Sequence, residues 1–210
     1  MNLIVFFQGW GLTPKHIENI DSKDFDVFCY YEHQNLMFKE VSQIDFSKYN
    51  KKILIAFSLG VYAASLLSDS VFNSFDLKIA INGTEKPVDN KFGIAENIFK
   101  ATLNNLSVRS LEKFNFRMCA SKQCYESFKQ IENSRSFSSI SDELSFFYRL
   151  TCRKDSYKPK NWTKAIVSSN DLIFSAINQK NYWQQQNVEI NEIDAPHYFF
   201  SKIDSWKNLF

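Results

Sequence analysis

Short, continuously apolar runs alternate along this chain with stretches whose apolar residues recur every three or four positions. Residues 3–7 form the first run, ending at Gln8-Gly9, and read as a buried strand. Residues 25–31 are a second strand candidate. A third spans 52–57 and stops at Ser58, and a fourth spans 77–81, closed by Asn82-Gly83. Strand texture returns at 163–167 and at 188–193. Residues 59–68 have helical character, and small Ala63, Ala64 and Ser65 suit close packing on a sheet. Further helices are predicted over 172–184 and, closing the chain, over 201–208.

The texture differs between 93 and 152, which hold a single glycine, Gly93, and no proline. Apolar residues there keep helical spacing: Ile98, Leu103, Leu106, Leu111, Phe114 and Met118, then Phe128 and Ile131, then Leu144, Phe147 and Leu150. Three or four short helices are expected, with Ser107 and Ser141 as caps. Strands alternating with helices predict an α/β fold, a mostly parallel sheet with helices on both faces. The helical block, about 85–160, is expected as a lid inserted above the carboxyl edge of the strands. The 210 residues fit one domain.

Composition narrows the function. A 44% hydrophobic and 23% charged chain has the balance of a globular protein, which excludes disorder throughout. The apolar runs are too short to span a bilayer, and the first residues lack the basic start and cleavage site of a signal peptide, so a cytoplasmic location is expected. A net charge of +2 argues against a nucleic-acid binder. That charge is unevenly spread: residues 100–164 carry 13 Lys or Arg against 6 Asp or Glu, and the remainder 12 against 17. A basic segment on an acidic body suggests a docking face for an acidic partner, although a solvated helical surface would look the same. Cys29, Cys119, Cys124 and Cys152 read as reduced thiols. Cys119 and Cys124 lack a second pair to complete a zinc site, and nothing calls for a metal or organic cofactor.

Two glycine-bearing strand ends carry the chemistry. Ala56-Phe57-Ser58-Leu59-Gly60 has the strand, x-Ser-x-Gly, helix pattern of a nucleophile elbow, with alanine where glycine usually stands. A serine hydroxyl needs a base, and the chain offers His16, His33 and His197. His16 and His33 lie in polar surroundings near the first two strands. His197 follows the last strand and completes the order serine, acid, histidine. The acid should follow the preceding strand, where Asp171 stands 26 residues before His197, with Asp155 and Asp194 as alternatives. A helix N-cap is the competing role for Ser58 and for Asp171. The N–H groups of Leu59, after the nucleophile, and of Trp10, between Gly9 and Gly11, are candidates for an oxyanion hole.

Together these residues resemble the small α/β-hydrolases of the BioG type, esterases that act on pimeloyl-acyl carrier protein methyl ester in biotin synthesis. The resemblance runs through Phe6-Phe7-Gln8-Gly9-Trp10-Gly11, Phe57-Ser58-Leu59-Gly60-Val61 and Ala80-Ile81-Asn82-Gly83-Thr84. It continues through Phe92-Gly93-Ile94, Arg117-Met118-Cys119 and Ala195-Pro196-His197. It implies that Ser58 attacks the methyl ester of a pimeloyl chain carried on phosphopantetheine, with His197 passing the serine proton to methanol. It also implies an acyl carrier protein as partner, for which Arg109, Lys113, Arg117, Lys122, Arg149 and Arg153 are available. Another serine hydrolase, such as a thioesterase or short-chain carboxylesterase, and a non-catalytic module of the same shape are the competing readings.

Overall fold

The computed structural model of the protein describes residues 1–35, 39–152 and 158–210. Among them six strands form one sheet: β1 (Asn2–Phe7), β2 (Phe25–Tyr30), β3 (Lys52–Phe57), β4 (Leu77–Ile81), β5 (Lys164–Asn170) and β6 (Glu189–Pro196). Every neighbouring pair is parallel, and the order is β2-β1-β3-β4-β5-β6. The helices are α1 (Lys39–Ser42), α2 (Leu59–Ser65), α3 (Asp69–Phe72), α4 (Glu96–Asn104), α5 (Val108–Cys119), α6 (Lys122–Lys129), α7 (Phe137–Thr151) and α8 (Ala176–Gln185).

The continuous apolar runs arise because both faces of the central strands are covered. Leu3, Val5, Phe7, Leu54, Ala56, Ala80, Ala165 and Val167 point to one face, against Val61, Ala63 and Ala64 of α2 and Tyr182 and Trp183 of α8. Ile4, Phe6, Ile53, Ile55, Phe57, Ile79, Ile81 and Ile166 point to the other. That second face is covered by Met118 and Cys119 at the end of α5, Phe128 of α6, and loop residues such as Leu12, Phe199 and Trp206.

Helices α4 to α7 lie between β4 and β5, which pair directly through Ile81 and Ile166. Buried Glu85 ties the two ends of this segment together. Its carboxylate accepts the Lys160 N–H at 3.1 Å, the Trp162 indole N–H at 2.7 Å and the Tyr182 hydroxyl at 2.6 Å.

Three local expectations are corrected. Ser107 caps α5, but Ser141 lies inside α7, whose cap is Ser136, accepting from the Ser139 N–H. The closing segment is not one helix but two single turns, Phe200–Lys202 and Trp206–Leu209, because Ser205 starts a new turn by accepting the Lys207 N–H. Helix α8 begins at Ala176 rather than 172, because the Asp171 carboxylate takes the N–H groups of Ile173 and Phe174 into a turn of its own.

Candidate active site

Between β3 and α2 the backbone of Ser58 takes φ 57° and ψ −125°. Such a conformation costs a non-glycine residue about 1–3 kcal/mol, so its surroundings must impose it. They do so through close backbone packing. The Ser58 N–H donates to the Ile81 carbonyl at 2.8 Å. A Cβ on Gly60 would stand 2.4 Å from the Phe7 carbonyl oxygen, and one on Gly83 would stand 2.3 Å from that of Ser58. Glycine at 60 and 83 thus lets the turn seat between the ends of β1 and β4. Ser58 has no side-chain capping bond to its helix, so its hydroxyl is available elsewhere.

His197 follows β6 and is 1% exposed. The Asn82 amide donates to its carbonyl at 2.8 Å, and the next N–H, of Tyr198, donates to the Met118 carbonyl at 2.9 Å. This aims the imidazole inward. Its Nε2 lies 3.0 Å from Ser58 Oγ and its Nδ1 lies 2.7 Å from Asp171 Oδ2. Asp171 does not cap α8, whose N-cap is Ser175, but its two carboxylate oxygens are divided between a turn and the imidazole. Oδ1 accepts the Ile173 and Phe174 N–H groups at 2.8 and 2.7 Å, while Oδ2 faces the histidine and also accepts from the Gln179 amide at 3.1 Å. Of the alternative acids, Asp194 accepts instead from Asn170 at 2.6 Å, on the surface, and Asp155 lies outside the described residues.

Ser58 and His197 open onto a narrow, mostly apolar cleft, lined among others by Trp10, Leu59, Phe99, Phe114, Met118 and Leu144. Trp10, after β1, and Leu59, next to Ser58, both line this cleft. Among the described residues no protein acceptor takes the N–H of either.

The basic residues divide. Arg109, Lys113 and Arg117 recur every four positions on α5 and are exposed, as are Lys122 and Arg149. None of these five forms an ion pair with another described residue. Arg117 lines both the cleft and an adjoining surface groove that also includes Lys113. Arg153 lies outside the described residues.

Reading from the sequence missed several groups. His16 and His33 are buried rather than set in polar surroundings, and burial holds both below the ordinary histidine value. Asn82, at φ 48°, holds β5 through the Ser168 N–H as well as His197. Gln179 and Glu143 are fully buried. A polar residue inside an apolar helical pattern, as Glu143 is beside Leu144 and Phe147, was the one available signal.

Comparison with known proteins follows the same lines. The family described as pimeloyl-ACP methyl esterase BioG matches residues 1–209. The crystal structure of BioG from Haemophilus influenzae is 32% identical, superposes with a TM-score of 0.87, and the match covers 99% of this chain and 94% of that one. A malonyl-[acyl-carrier protein] O-methyltransferase of Bacteroides fragilis is 35% identical over 200 residues; these cover 93% of this chain but only 39% of that protein's length. A bromoperoxidase of Bacillus anthracis, at 16% identity and a TM-score of 0.67, shares the fold. With the family match spanning nearly every residue, this chain belongs to the BioG family of pimeloyl-ACP methyl esterases.

Proposed function

We propose that this chain hydrolyses the methyl ester of pimeloyl-acyl carrier protein in biotin biosynthesis through Ser58, His197 and Asp171. The unbroken hydrogen-bonded line from Asp171 to His197 to Ser58, ending in the apolar cleft, carries this reading. Family membership supplies the substrate class. The Bacteroides fragilis relative is named for methylating a carrier-bound malonyl group, and a methyl ester on a carrier is what the present reaction removes.

His197 Nε2 takes the Ser58 proton as Oγ attacks the ester carbonyl carbon. The developing oxyanion accepts hydrogen bonds from the Trp10 and Leu59 N–H groups. Asp171 holds the tautomer with the proton on Nδ1 and stabilises the imidazolium. Collapse breaks the bond to the methoxy oxygen, which leaves as methanol with the proton from His197. Water, deprotonated by the same imidazole, then attacks the acyl-enzyme. The products are Ser58 and the free pimeloyl carboxylate, still attached to its carrier through phosphopantetheine.

Helices α4 to α7 form the lid over about 85–160, and the exposed side chains of Arg109, Lys113 and Arg117 receive the acidic carrier protein. Lys122 and Arg149 extend this basic surface. Such contacts chiefly orient and steer the partner, so they weaken with salt.

The test is turnover of the carrier-bound methyl ester, followed by methanol release. Ser58→Ala should reduce it by ~10⁴-fold or more, and Asp171→Asn by ~10³–10⁴-fold. Replacing Arg109 and Lys113, which do not line the cleft, together by Ala should lower kcat/KM for the carrier substrate about tenfold, while a free short-chain ester is hydrolysed as before. Turnover retained by Ser58→Ala would refute the nucleophile. Equal loss on both substrates in the double variant would refute docking on α5.

A further inference from the structure

Trp10 lies in a loop whose peptide groups are held partly by local bonds and partly by partners from elsewhere in the chain. The Gln8 carbonyl accepts from His33 Nε2 at 2.8 Å, and the Gly9 N–H donates to Gln8 Oε1 at 3.0 Å. The Gly9 carbonyl accepts from the Leu12 N–H at 3.4 Å. The Gly11 N–H donates to Glu143 Oε2 at 3.1 Å, and the Gly11 carbonyl accepts from the Asn133 amide at 2.8 Å. The Trp10 indole N–H donates to the Ile140 carbonyl at 2.7 Å. Both N–H groups flanking Trp10 are therefore engaged by side-chain oxygens, while that of Trp10 is left for a ligand. In a planar trans peptide the N–H points opposite to the preceding carbonyl, so the bond that holds the Gly9 carbonyl also fixes the direction of the Trp10 N–H.

Glu143 is the centre of this arrangement and is fully buried. Its Oε1 accepts the His33 backbone N–H at 2.8 Å, and its Oε2 also accepts from Arg135 Nη1 at 2.7 Å. The Arg135 side chain is itself 1% exposed, and its Nε lies 3.3 Å from Glu32. A buried carboxylate needs such pairing to remain charged. Neither Glu143 nor Asn133 is among the residues that line the cleft. They reach the loop through the backbone of Gly11, and Glu143 also reaches it through His33, whose ring bonds the Gln8 carbonyl.

We propose that Glu143 and Asn133 are positioning residues that preset the Trp10 N–H for the oxyanion, so that α7 and the segment before it help to build the catalytic site. The inference rests on the esterase reading above. Glutamine at 143 would keep the shape and lose the charge. It has one acceptor oxygen where the carboxylate has two, so it cannot serve the His33 and Gly11 N–H groups and Arg135 together. The loop would then hold the Trp10 N–H less firmly, and the cost should fall on the transition state rather than on substrate binding.

The experiment compares wild type, Ser58→Ala, Glu143→Gln and Asn133→Ala in steady-state hydrolysis of the carrier-bound methyl ester. Alongside, it measures inhibition by an alkyl trifluoromethyl ketone, whose adduct with a serine carries an oxyanion. Deleting an entire oxyanion donor costs ~10²–10³-fold, so misplacing one through Glu143→Gln should lower kcat by ~10–100-fold. Asn133→Ala, at an exposed position, should lower kcat by ~3–10-fold. KM should stay within about twofold in both, and affinity for the ketone should fall in step with kcat/KM. A purely structural role would reduce the amount of active enzyme without weakening the ketone relative to the substrate. Wild-type kcat and ketone affinity in Glu143→Gln would overturn the proposal, and should that variant not fold, the same result in Asn133→Ala would do so. Turnover that persists in Ser58→Ala would instead remove the esterase site, and this role with it.

Discussion

The two turns that meet at Ser58 are held in different ways. The elbow after β3 depends on the ends of its neighbouring strands: glycines at 60 and 83 allow backbone to touch backbone, and one hydrogen bond joins Ser58 to Ile81. The loop after β1 has local bonds of its own, from Gly9 to Gln8 and from Leu12 to Gly9, but they leave the peptide groups of Gly11 unheld. It relies on His33, Asn133, Ile140 and Glu143, which are brought in from after β2 and from within the helical segment. A turn made by close packing is specified by small residues at fixed spacing. A turn made by remote hydrogen bonds is specified only when the whole chain has folded.

The largest expected effect follows from the point where the two turns touch. Gly60→Ala would place a methyl group 2.4 Å from the Phe7 carbonyl and 2.5 Å from that of Gln8, neither of which can yield as a flexible side chain could. It should cost about 2–4 kcal/mol of stability and nearly all esterase activity, as measured by urea unfolding and methanol release. A stable, active variant would show that the elbow does not depend on this contact.

A smaller effect belongs to the loop side alone. His16 and His33 both border it, His16 through Thr13 and His33 through Gln8, and burial lowers both from 6.5. Between the folded and unfolded values the unfolded chain binds more protons, so stability rises with pH through that window. Their contribution is full above about 6.5 and is lost as pH falls toward the folded values. The urea midpoint should therefore drop between pH 7.5 and pH 5.5. A midpoint constant over this range would mean that the two imidazoles are not held neutral.

The smallest effect concerns the elbow alone. With φ at 57°, Ser58 is strained, and glycine would relieve it. Ser58→Gly should be more stable than Ser58→Ala by about 1 kcal/mol, although neither has a nucleophile. Equal thermal stability would show that the surrounding packing, and not the residue, carries the cost.

Much of this was legible in the order of residues. Strands β3 and β4 span the expected 52–57 and 77–81, because apart from Lys52 and Lys78 near their starts they are apolar, and their later positions are buried on both faces. Ser107 caps α5 as its spacing suggested. Ser141 misled because several serines crowd the start of α7, and only the backbone decides which of them caps it. The last residues failed as a helix for a similar reason: Ser205 can continue a turn or begin one, and its capping bond to Lys207 begins one.

By itself, the sequence determined the parallel α/β order and the strand-turn-helix setting of Ser58. It also determined the basic stripe on α5, since these depend on periodicity, residue size and charge at short separation. The tertiary structure alone decided that Asp171, 26 residues before His197, shares its carboxylate between a turn and the imidazole. It also decided that Glu143, more than a hundred residues from Gly11, holds that backbone N–H. A carboxylate has no preferred partner until folding removes water and leaves a few donors within reach.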